Sequence, residues 1–291
     1  MVVTTRDVEI ASTPAVRHIM LMSDLHLGSA FADVDAIKQD LETARRHDAR
    51  IILNGDVFDA IVPSDKKRYS PTALVPELRN RADVLNASVE YAKKLLDPYK
   101  DLIDVIGVGN HETASEKYHA VDPVSILLYA LGGEAKHGGY CGYYVLRGRY
   151  AKSIRQIWTL KLRYHHGSGG ASPVTKGITD FQRMRAWISD ADVITVGHKH
   201  NKMAVPDVRE RLTNSGRVVY EPLLCLMTGS YLDTYRQQEN ILAEGRQANY
   251  AADWNVSPQP KGGILLECTF NTAGQSESNN RHTPAVRAVI Q

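Results

Sequence analysis

The sequence predicts an α/β protein in which layers of strands and helices pack on one another. The first observation is a series of short apolar runs, bounded by turn-forming residues, that have the length of buried strands. The second is that, in the first half of the chain, stretches with apolar residues at helical spacing separate these runs. Strands that alternate with helices pair in parallel, and the helices cover the sheet. The second half of the chain is richer in strand and less regular.

Eight segments have the character of buried strands. Each is short, rich in Ile, Leu, Val or aromatic residues, and followed by polar or turn-forming residues. By this pattern we expect strands at residues 18–22, 50–53, 102–108, 140–146, 157–164, 193–196, 223–227 and 263–270.

Four segments carry the helical pattern. The first begins after Asp33, a good N-cap residue, and the second must end near Pro98. The third has Asp122 and Pro123 at its start and two glycines at its end, which is the asymmetry expected of a helix. We therefore expect helices at residues 34–44, 78–96, 123–131 and 178–188.

The chain is predicted to form one domain. Its 291 residues, 43% apolar and 23% charged, have the composition of a globular protein, and a chain of this length buries enough surface to fold without disulfides. Collagen-like, low-complexity and wholly disordered proteins are excluded. Because no linker divides the sequence, we expect a single domain over residues 1–270, followed by a loose polar tail at 271–291.

Charge and cysteine content exclude further classes of protein. The net charge of +2, from 35 basic and 33 acidic residues, gives no overall attraction to nucleic acid or to a membrane. Cys141, Cys225 and Cys268 are far apart and odd in number, which argues against a disulfide framework or a thiolate zinc site. The sequence has no signal-peptide pattern and no apolar run of membrane-spanning length. We therefore expect a soluble, cytoplasmic protein that does not bind membranes.

The residues that carry chemistry follow the ends of five predicted strands. In open α/β sheets ligands bind beyond the carboxyl ends of the strands, so residues at these positions are expected to meet at one edge. The five segments are Asp24-Leu25-His26, Gly55-Asp56-Val57-Phe58-Asp59, Gly109-Asn110-His111-Glu112, His165-His166-Gly167 and Gly197-His198-Lys199-His200.

These residue types suit metal ions. Imidazole and carboxylate groups bind Mn, Fe, Zn or Co, whereas the lack of cysteine pairs argues against an iron–sulfur site. In D-x-H and H-x-H, side chains two residues apart lie on the same side of a short extended segment. The set is too large for one catalytic ion. It suits two ions about 3.5–4 Å apart that share a carboxylate and clamp a displacement at phosphorus.

Each segment alone also has a structural explanation. D-x-H is typical of a surface ion pair, G-D-x-x-D of a turn, and a lone strand histidine of a hydrogen-bonded position. The specific signal is the ordered set of five, each after an apolar run.

The ordered motifs resemble those of the calcineurin-like metallophosphoesterases, which carry D-x-H, G-D-x-x-[DE], G-N-H-[DE], H and G-H-x-H in this order. The resemblance spans Asp24 to His200. It implies a four-layer α-β-β-α sandwich with two central mixed β-sheets and a centre of two divalent metal ions. It also implies hydrolysis of a phosphoester by hydroxide held between the ions. Manganese is expected first, with iron, zinc, cobalt and nickel as alternatives.

The resemblance also implies a role for each matching residue. One ion would be held by Asp24, His26 and His200, a second by Asn110, His166 and His198, and Asp56 would bridge them. His111 would be the catalytic histidine, which stabilises or protonates the leaving oxygen.

Three positions keep alternatives open. His166 is preferred as the ligand because it precedes Gly167, and His165 is the alternative, since adjacent strand residues point to opposite sides. Asp59 and Glu112 either orient the ligands from behind or have only turn or surface roles.

The substrate is less fixed than the metal centre. Ser/Thr protein phosphatases of the family have Arg-Gly after the second motif and Arg before the third, whereas this chain has Ala60-Ile61 and Val108. We therefore expect a phosphodiesterase acting on nucleic acid or a nucleotide. The alternatives are a phosphomonoesterase of the same fold and a non-catalytic metal-binding scaffold.

Two further segments bear on phosphate binding. Basic residues between 147 and 163 could track a phosphate backbone, although the solvated face of two strands explains them better. The glycine-rich loop at 167–180 follows a candidate ligand and is a candidate phosphate contact. It lacks the G-K-[ST] of a P-loop, so nucleoside triphosphatase chemistry of that kind is not expected.

Overall fold

The structure is a computed structural model that describes residues 1–59, 73–79, 81–151, 157–170, 172–233, 257–271 and 283–290. Its strands are β1 (Val2–Ile10), β2 (Ala15–Met22), β3 (Arg50–Leu53), β4 (Ile103–Gly107), β5 (Lys136–Gly139), β6 (Cys141–Tyr150), β7 (Ile157–His165), β8 (Val193–Val196), β9 (Met203–Leu212), β10 (Val218–Met227), β11 (Ile264–Phe270) and β12 (Ala285–Val289). Its helices are α1 (Val34–Arg46), α2 (Val84–Leu96), α3 (Asn110–His119), α4 (Pro123–Leu131) and α5 (Ile178–Arg185).

The strands form two mixed sheets of six strands each. Sheet I has the order β12-β11-β2-β3-β4-β5, and sheet II has the order β1-β6-β7-β8-β10-β9. In sheet I, β2 to β5 are parallel, as their alternation with helices predicts. In sheet II, β8 is parallel to both of its neighbours, β7 and β10. The ends of β2, β3, β4, β7 and β8 are the places where the sequence motifs begin.

Three apolar cores separate four layers. One lies between sheet I and the helices α1, α2 and α4, one between the two sheets, and one between sheet II and α5. Strand β2 shows the arrangement, because side chains alternate along a strand. Met20 and Met22 face the helices, whereas Ile19 and Leu21 face sheet II. The predicted α-β-β-α sandwich with two central mixed sheets is confirmed.

Four strands, β1, β5, β9 and β12, are not predicted by the apolar pattern, and they are the edge strands of the two sheets. Strand β9, for example, has the sequence MAVPDVRERL, with a proline and four charged residues. Edge strands carry such residues because charge and proline discourage pairing with another chain. They therefore lack the apolar run by which the interior strands are found.

One of these edge strands lies in the segment predicted to be a loose tail. Residues Ala285–Val289 pair antiparallel with β11, and Val286 and Ala288 pack against the core between the sheets. The expectation of a loose tail is therefore wrong for this strand. Its apolar pattern consists of only two core-facing residues among polar neighbours, which is too short to predict a strand. Residues 272–282 and 291 lie outside the described part of the chain.

The helices differ from prediction mainly at three places, of which the smallest is that α5 ends at Arg185 and not at Ile188. Helix α2 begins at Val84 rather than near Leu78, which packs in a separate cluster with Leu74 and Val75. Helix α3 is not predicted at all, because only Glu112 and Ser115 are buried along it and it has no apolar stripe. Helices α1 and α4 begin as expected, at side-chain caps from Asp33 and Asp122. Among the described residues, none of the helices has the length and apolar character that a membrane crossing requires.

A buried polar cluster links the two sheets. Tyr144, on β6 of sheet II, donates a hydrogen bond of 2.7 Å to Asp104, on β4 of sheet I. Asp104 also accepts from the guanidinium of Arg50 on β3, with an Nε–Oδ2 distance of 3.0 Å. Burial, together with the nearby Asp104 carboxylate, raises the pKa of Tyr144 well above its usual value. Tyr144 thus stays neutral in the folded protein at pH values where an exposed tyrosine ionises.

Replacing Tyr144 by Phe tests this link. At pH 7 the variant should lose about 1 kcal/mol of unfolding free energy, the worth of one hydrogen bond, while Asp104 keeps Arg50. Because the pKa of Tyr144 is raised in the folded state, its contribution to stability is lost as the pH rises above about 10. The variant should therefore lose less stability than the wild type between pH 7 and pH 11, while the other buried tyrosines contribute equally to both. Urea unfolding at pH 7 and pH 11 measures both effects. Tyr129→Phe, at a side chain 91% exposed, is the control and should change neither value.

Candidate metal centre

The predicted site residues meet where the carboxyl ends of both sheets come together. Sheet I delivers residues after β2, β3 and β4, and sheet II delivers residues after β7 and β8. The sequence predicts one sheet edge, so the contribution of two facing sheets is a correction. Three groups of close ligand atoms result, each with all atoms within 4.8 Å: Asp24, Asp56, His166 and His198; Asp24, His26 and His200; and His26, Asp59 and His111.

The backbone at these residues is not the short extended segment expected for D-x-H and H-x-H. Five of the site residues have positive φ angles: Asp24 (54°), His26 (46°), Asp56 (47°), His198 (65°) and His200 (56°). A left-handed conformation is unfavourable by about 1–2 kcal/mol for a residue with a Cβ, so the surrounding structure must hold it. Backbone hydrogen bonds from Asp24 to Gly55 and from His26 to Asp56, both of 3.0 Å, help to do so.

In the first group, His166 has one ring nitrogen fixed and the other facing the cluster. Its Nδ1 lies 2.8 Å from the carbonyl oxygen of Asn54, a contact that requires Nδ1 to carry the proton. Its Nε2 lies 3.1 Å from Asp56 Oδ2 and 3.3 Å from Asn110 Oδ1. Burial acts to lower the pKa of His166, but Asp56 and Asp24 outweigh it and raise the value to about 9, so without a metal Nε2 also holds a proton. When a metal displaces that proton, Nε2 offers a lone pair beside two candidate oxygen ligands, an arrangement typical of a metal-binding histidine.

His165 lies outside these groups. Its Nδ1 accepts a hydrogen bond of 2.8 Å from the backbone of Gly167, and its ring stacks edge-on against Tyr140. It supports the chain after His166 and is not among the close ligand atoms. The geometry supports the preference for His166, whose role as a ligand stays a prediction.

The second group contains buried polar atoms that have no hydrogen-bond partner in the described structure. They are Asp24 Oδ1 and both ring nitrogens of His26. Asp24 Oδ1 lies 3.3 Å from His200 Nε2. Buried polar atoms are rarely left unpaired, and a carboxylate with two imidazoles is a donor set for a divalent ion. The residues present therefore fit a metal ion, and the two adjoining groups that share Asp24 are consistent with a dimetal site.

The third group places His111 beside the other two. Its backbone N–H donates to Asp56 Oδ1 at 3.0 Å, and its Nδ1 contacts the backbone carbonyl of Asp59. The carboxylate of Asp59 lies 3.3 Å from His26 Nδ1. Asp59 thus contacts His111 through its backbone and His26 through its side chain, which agrees with an orienting role.

Glu112 is buried behind the ligands and is not a surface residue. It is 1% exposed and accepts hydrogen bonds from the backbone N–H groups of Asp56 (3.0 Å), Phe58 (3.0 Å) and Gly109 (2.7 Å). These contacts join the loop after β3 to the start of α3. The arrangement fixes the backbone that carries Asp56 and Asn110.

The electrostatics of the centre are dominated by Asp24 and Asp56. Burial acts to raise the pKa of Asp24, but the imidazoles of His200 and His166 outweigh it and lower the value to about 2. The pKa of Asp56 is likewise lowered by His166 and His111 against the effect of burial. Burial and the charge of Asp56 raise the pKa of Glu112 to about 7. The two aspartates therefore remain charged, as metal ligands must be.

Residues 17–223 match the family model described as calcineurin-like phosphoesterase. The chain belongs to this family. Among solved structures, it is similar to a conserved uncharacterised protein from Streptococcus pneumoniae, a predicted phosphoesterase, with 13% identity and a TM-score of 0.34 over 94% of this chain and 99% of the other. It is also similar to a metallophosphoesterase from Sphaerobacter thermophilus, with 16% identity and a TM-score of 0.32 over 74% and 77% of the two chains. No curated protein matches the sequence.

In this calcineurin-like phosphoesterase, four residues outside the predicted set also support the centre. Asn54 binds His166 through its carbonyl and the carbonyl of His165 through its side chain. The Ser23 hydroxyl contacts Asp24 and lies 2.6 Å from the hydroxyl of Thr228. Tyr140 donates to the carbonyl of Gly167 at 2.7 Å. Ser23 and Asn54 adjoin motif residues and were detectable, whereas Thr228 follows β10 and has no motif beside it.

Replacing each of the two adjacent histidines by alanine tests the ligand assignment. His166→Ala should lower the number of bound ions by at least one per chain, because it removes a lone pair inside the first group. His165→Ala should keep full occupancy. Atomic emission after loading with Mn²⁺ and gel filtration gives the stoichiometry. The reverse result, loss in the His165 variant alone, would make His165 the ligand.

The glycine before Asn110 provides a second test. A Cβ at Gly109 would overlap both Oδ1 and the backbone nitrogen of Asp56, so Gly109→Ala must displace Asp56. We expect loss of bound metal from a protein that is still folded by circular dichroism. Gly170→Ala is the matched control, because a Cβ there meets no atom within 4 Å, and it should keep its metal. Full occupancy in Gly109→Ala would remove Asp56 from the ligand set.

Proposed function

We propose that this protein is a phosphodiesterase that hydrolyses a nucleotide or nucleic-acid diester at a centre of two divalent ions, with manganese the first candidate. The observation that carries the proposal is a set of three buried atoms, Asp24 Oδ1 and the two ring nitrogens of His26, that have no hydrogen-bond partner among the described residues. They lie beside a second His/Asp group and His111. We assign Asp24, His26 and His200 to one ion, Asn110, His166 and His198 to the other, and Asp56 to both. When bound, the ions supply an activated water near neutral pH and neutralise the phosphoryl oxygens.

The residues of the chain provide the rest of the chemistry. His111 is held through Nδ1 by the carbonyl of Asp59, so Nε2 is the atom that can carry a proton to the leaving oxygen. The hydrogen bond from its backbone N–H to Asp56 fixes the position of the His111 backbone relative to the candidate ligands. Glu112 prevents the two loops from separating by binding three backbone N–H groups. Each of these contacts is made before substrate binds, which is the preorganisation that catalysis requires.

A diester is favoured over a monoester because the one lysine within the motifs, Lys199, already has partners inside the protein. A monoester carries one more negative charge than a diester, and the family phosphatases meet it with arginines that this chain lacks. Lys199, between His198 and His200, has its ammonium group engaged by backbone carbonyls and by Asp180. It is therefore not placed to receive that extra charge.

The basic stretch at 147–163 does not support a long polynucleotide. Arg147 forms a bidentate ion pair with Asp7, and Lys161 forms an ion pair with Asp190. Arg163 is 2% exposed and donates to the carbonyl of Gly142 at 3.0 Å. Lys152 and Arg155 lie outside the described residues. Arg149 is 57% exposed and lies 3.9 Å from Asp7. Three of the four described cations are thus engaged within the protein, which favours a nucleotide-sized diester.

Hydrolysis of bis-p-nitrophenyl phosphate and p-nitrophenyl phosphate tests the proposal, with chelated and Mn²⁺-loaded protein in parallel. The loaded enzyme should prefer the diester, and the chelated protein should be inactive. His111→Ala should lower kcat by about 10²–10⁴, the usual contribution of a proton donor, with unchanged metal content.

Other results lead to the alternatives. A preference for the monoester would make the protein a phosphomonoesterase at the same centre. If neither ester is hydrolysed although two ions are bound, the scaffold interpretation gains support, and nucleotide diesters become the deciding substrates.

A further inference from the structure

Lys199 lies between two candidate ligands, yet its side chain is directed away from solvent. The side chain is only 4% exposed. A lysine near a phosphate site can serve as a point charge for the phosphate. Here the structure gives the ammonium group a different set of partners.

Those partners come from both ends of the glycine-rich loop. Lys199 Nζ contacts the carbonyl of Ser168 and donates to the carbonyls of Gly169, at 2.7 Å, and Gly170, at 3.0 Å. It also lies 3.5 Å from the carboxylate of Asp180, in the first turn of α5. One side chain therefore ties the beginning of the loop to the helix that follows it.

This loop lies directly against the candidate metal centre. Gly167 follows His166, and a Cβ at Gly167 would be 2.9 Å from the Cβ of His198. The three carbonyl-bearing residues that follow it are exposed to solvent. The loop is thus both in contact with a ligand residue and open to a bound molecule.

Holding the carbonyls also sets the direction of the amides. In a planar trans peptide, the N–H of each residue points opposite to the preceding carbonyl. Because the carbonyls of Ser168 and Gly169 face Lys199, the N–H groups of Gly169 and Gly170 face away from it. Successive backbone N–H groups on one side of a loop are suited to bind an anion.

We propose that Lys199 is a positioning residue that folds residues 167–170 into a wall of the substrate site, with backbone N–H groups turned towards the phosphoester. The inference rests on the proposed function for its substrate class. Lys199 itself does not contact the substrate. Its removal therefore weakens substrate binding by loosening the loop and leaves the metal ligands in place.

The test compares Lys199→Met with Lys176→Met in the Mn²⁺-loaded protein. Lys176 is an exposed lysine of the same loop, so its variant removes the same charge without removing the anchor. For Lys199→Met we expect exchange at the hydrogen-bonded amides of Gly167, Lys176 and Ile178 to speed up about 10-fold or more. We also expect KM for bis-p-nitrophenyl phosphate to rise about 10-fold, kcat to change less than about 2-fold, and metal content to stay the same. Lys176→Met should change none of these values.

Two further measurements keep the result interpretable. Asp180→Asn removes only the helix end of the anchor, so it should shift exchange and KM in the same direction by a smaller factor, even if Lys199→Met folds poorly. The affinity for inorganic phosphate, from calorimetry, needs no turnover and should fall in parallel with the rise in KM. If the wild type hydrolyses no ester, the proposed function fails while exchange and phosphate affinity still decide the role of Lys199.

Three outcomes would overturn the inference. Unchanged exchange with a raised KM would mean that Lys199 acts on the substrate directly. Faster exchange with unchanged KM and phosphate affinity would restrict Lys199 to a structural role. Loss of bound metal in Lys199→Met, with normal occupancy in Lys176→Met, would place its effect on the ligands instead of the loop.

Discussion

The burial of two carboxylates at the meeting point of two sheets is the constraint on which the rest of the structure depends. Asp24 and Asp56 are both inaccessible to solvent, and a buried charge is strongly unfavourable unless it is paired and hydrogen-bonded. Their partners come from both sheets. Asp24, after β2, meets the backbone N–H of His198 at 2.9 Å, and Asp56, after β3, meets His166. Neither sheet alone can satisfy these groups, so the chemistry of the centre and the packing of the sandwich require each other.

This constraint explains why the backbone near the centre is so specialised. The ligand-bearing segments must leave their strands and turn within one or two residues, which the left-handed conformations at Asp24, Asp56 and His198 accomplish. Gly55, with φ of 84°, and Gly109 let neighbouring segments approach closer than a Cβ allows: a Cβ at Gly55 would lie 2.6 Å from His166 Nδ1. The glycines of the motifs therefore serve packing, while the adjacent polar residues are the candidate metal ligands. Glu112 then fixes the resulting loops by accepting from three of their backbone N–H groups.

The sequence predicts what is local and strongly patterned. Apolar runs in the sequence predict the interior strands. The polar residues at their ends meet as expected because parallel strands have their carboxyl ends at the same edge. The edge strands β1, β5, β9 and β12 are hidden, since their charged residues serve to prevent pairing and erase the apolar signal. Helix α3 is not predicted for a different reason. Its buried side chains, such as Glu112, are polar, so the helix has no periodic apolar pattern. Contacts between distant segments, such as Thr228 with Ser23 or Lys199 with Asp180, have no local signature and follow only from the tertiary structure.

A common principle connects Glu112 and Lys199 on the two sides of the centre. Each is an ionic side chain that binds backbone groups, Glu112 three N–H groups and Lys199 three carbonyls, and so each shapes a loop instead of offering its charge to a substrate. Arg163 is likewise engaged with a backbone carbonyl. The carboxylates of Asp24 and Asp56 face the site, and the imidazoles around them lower their pKa values and keep them negative. Divalent cations would be the largest local charges in such a centre, and they would take over this balance because a histidine ligand must be neutral. Under the proposed function, the affinity for an anionic substrate therefore depends on metal occupancy, and the loops held by Glu112 and Lys199 contribute to its orientation.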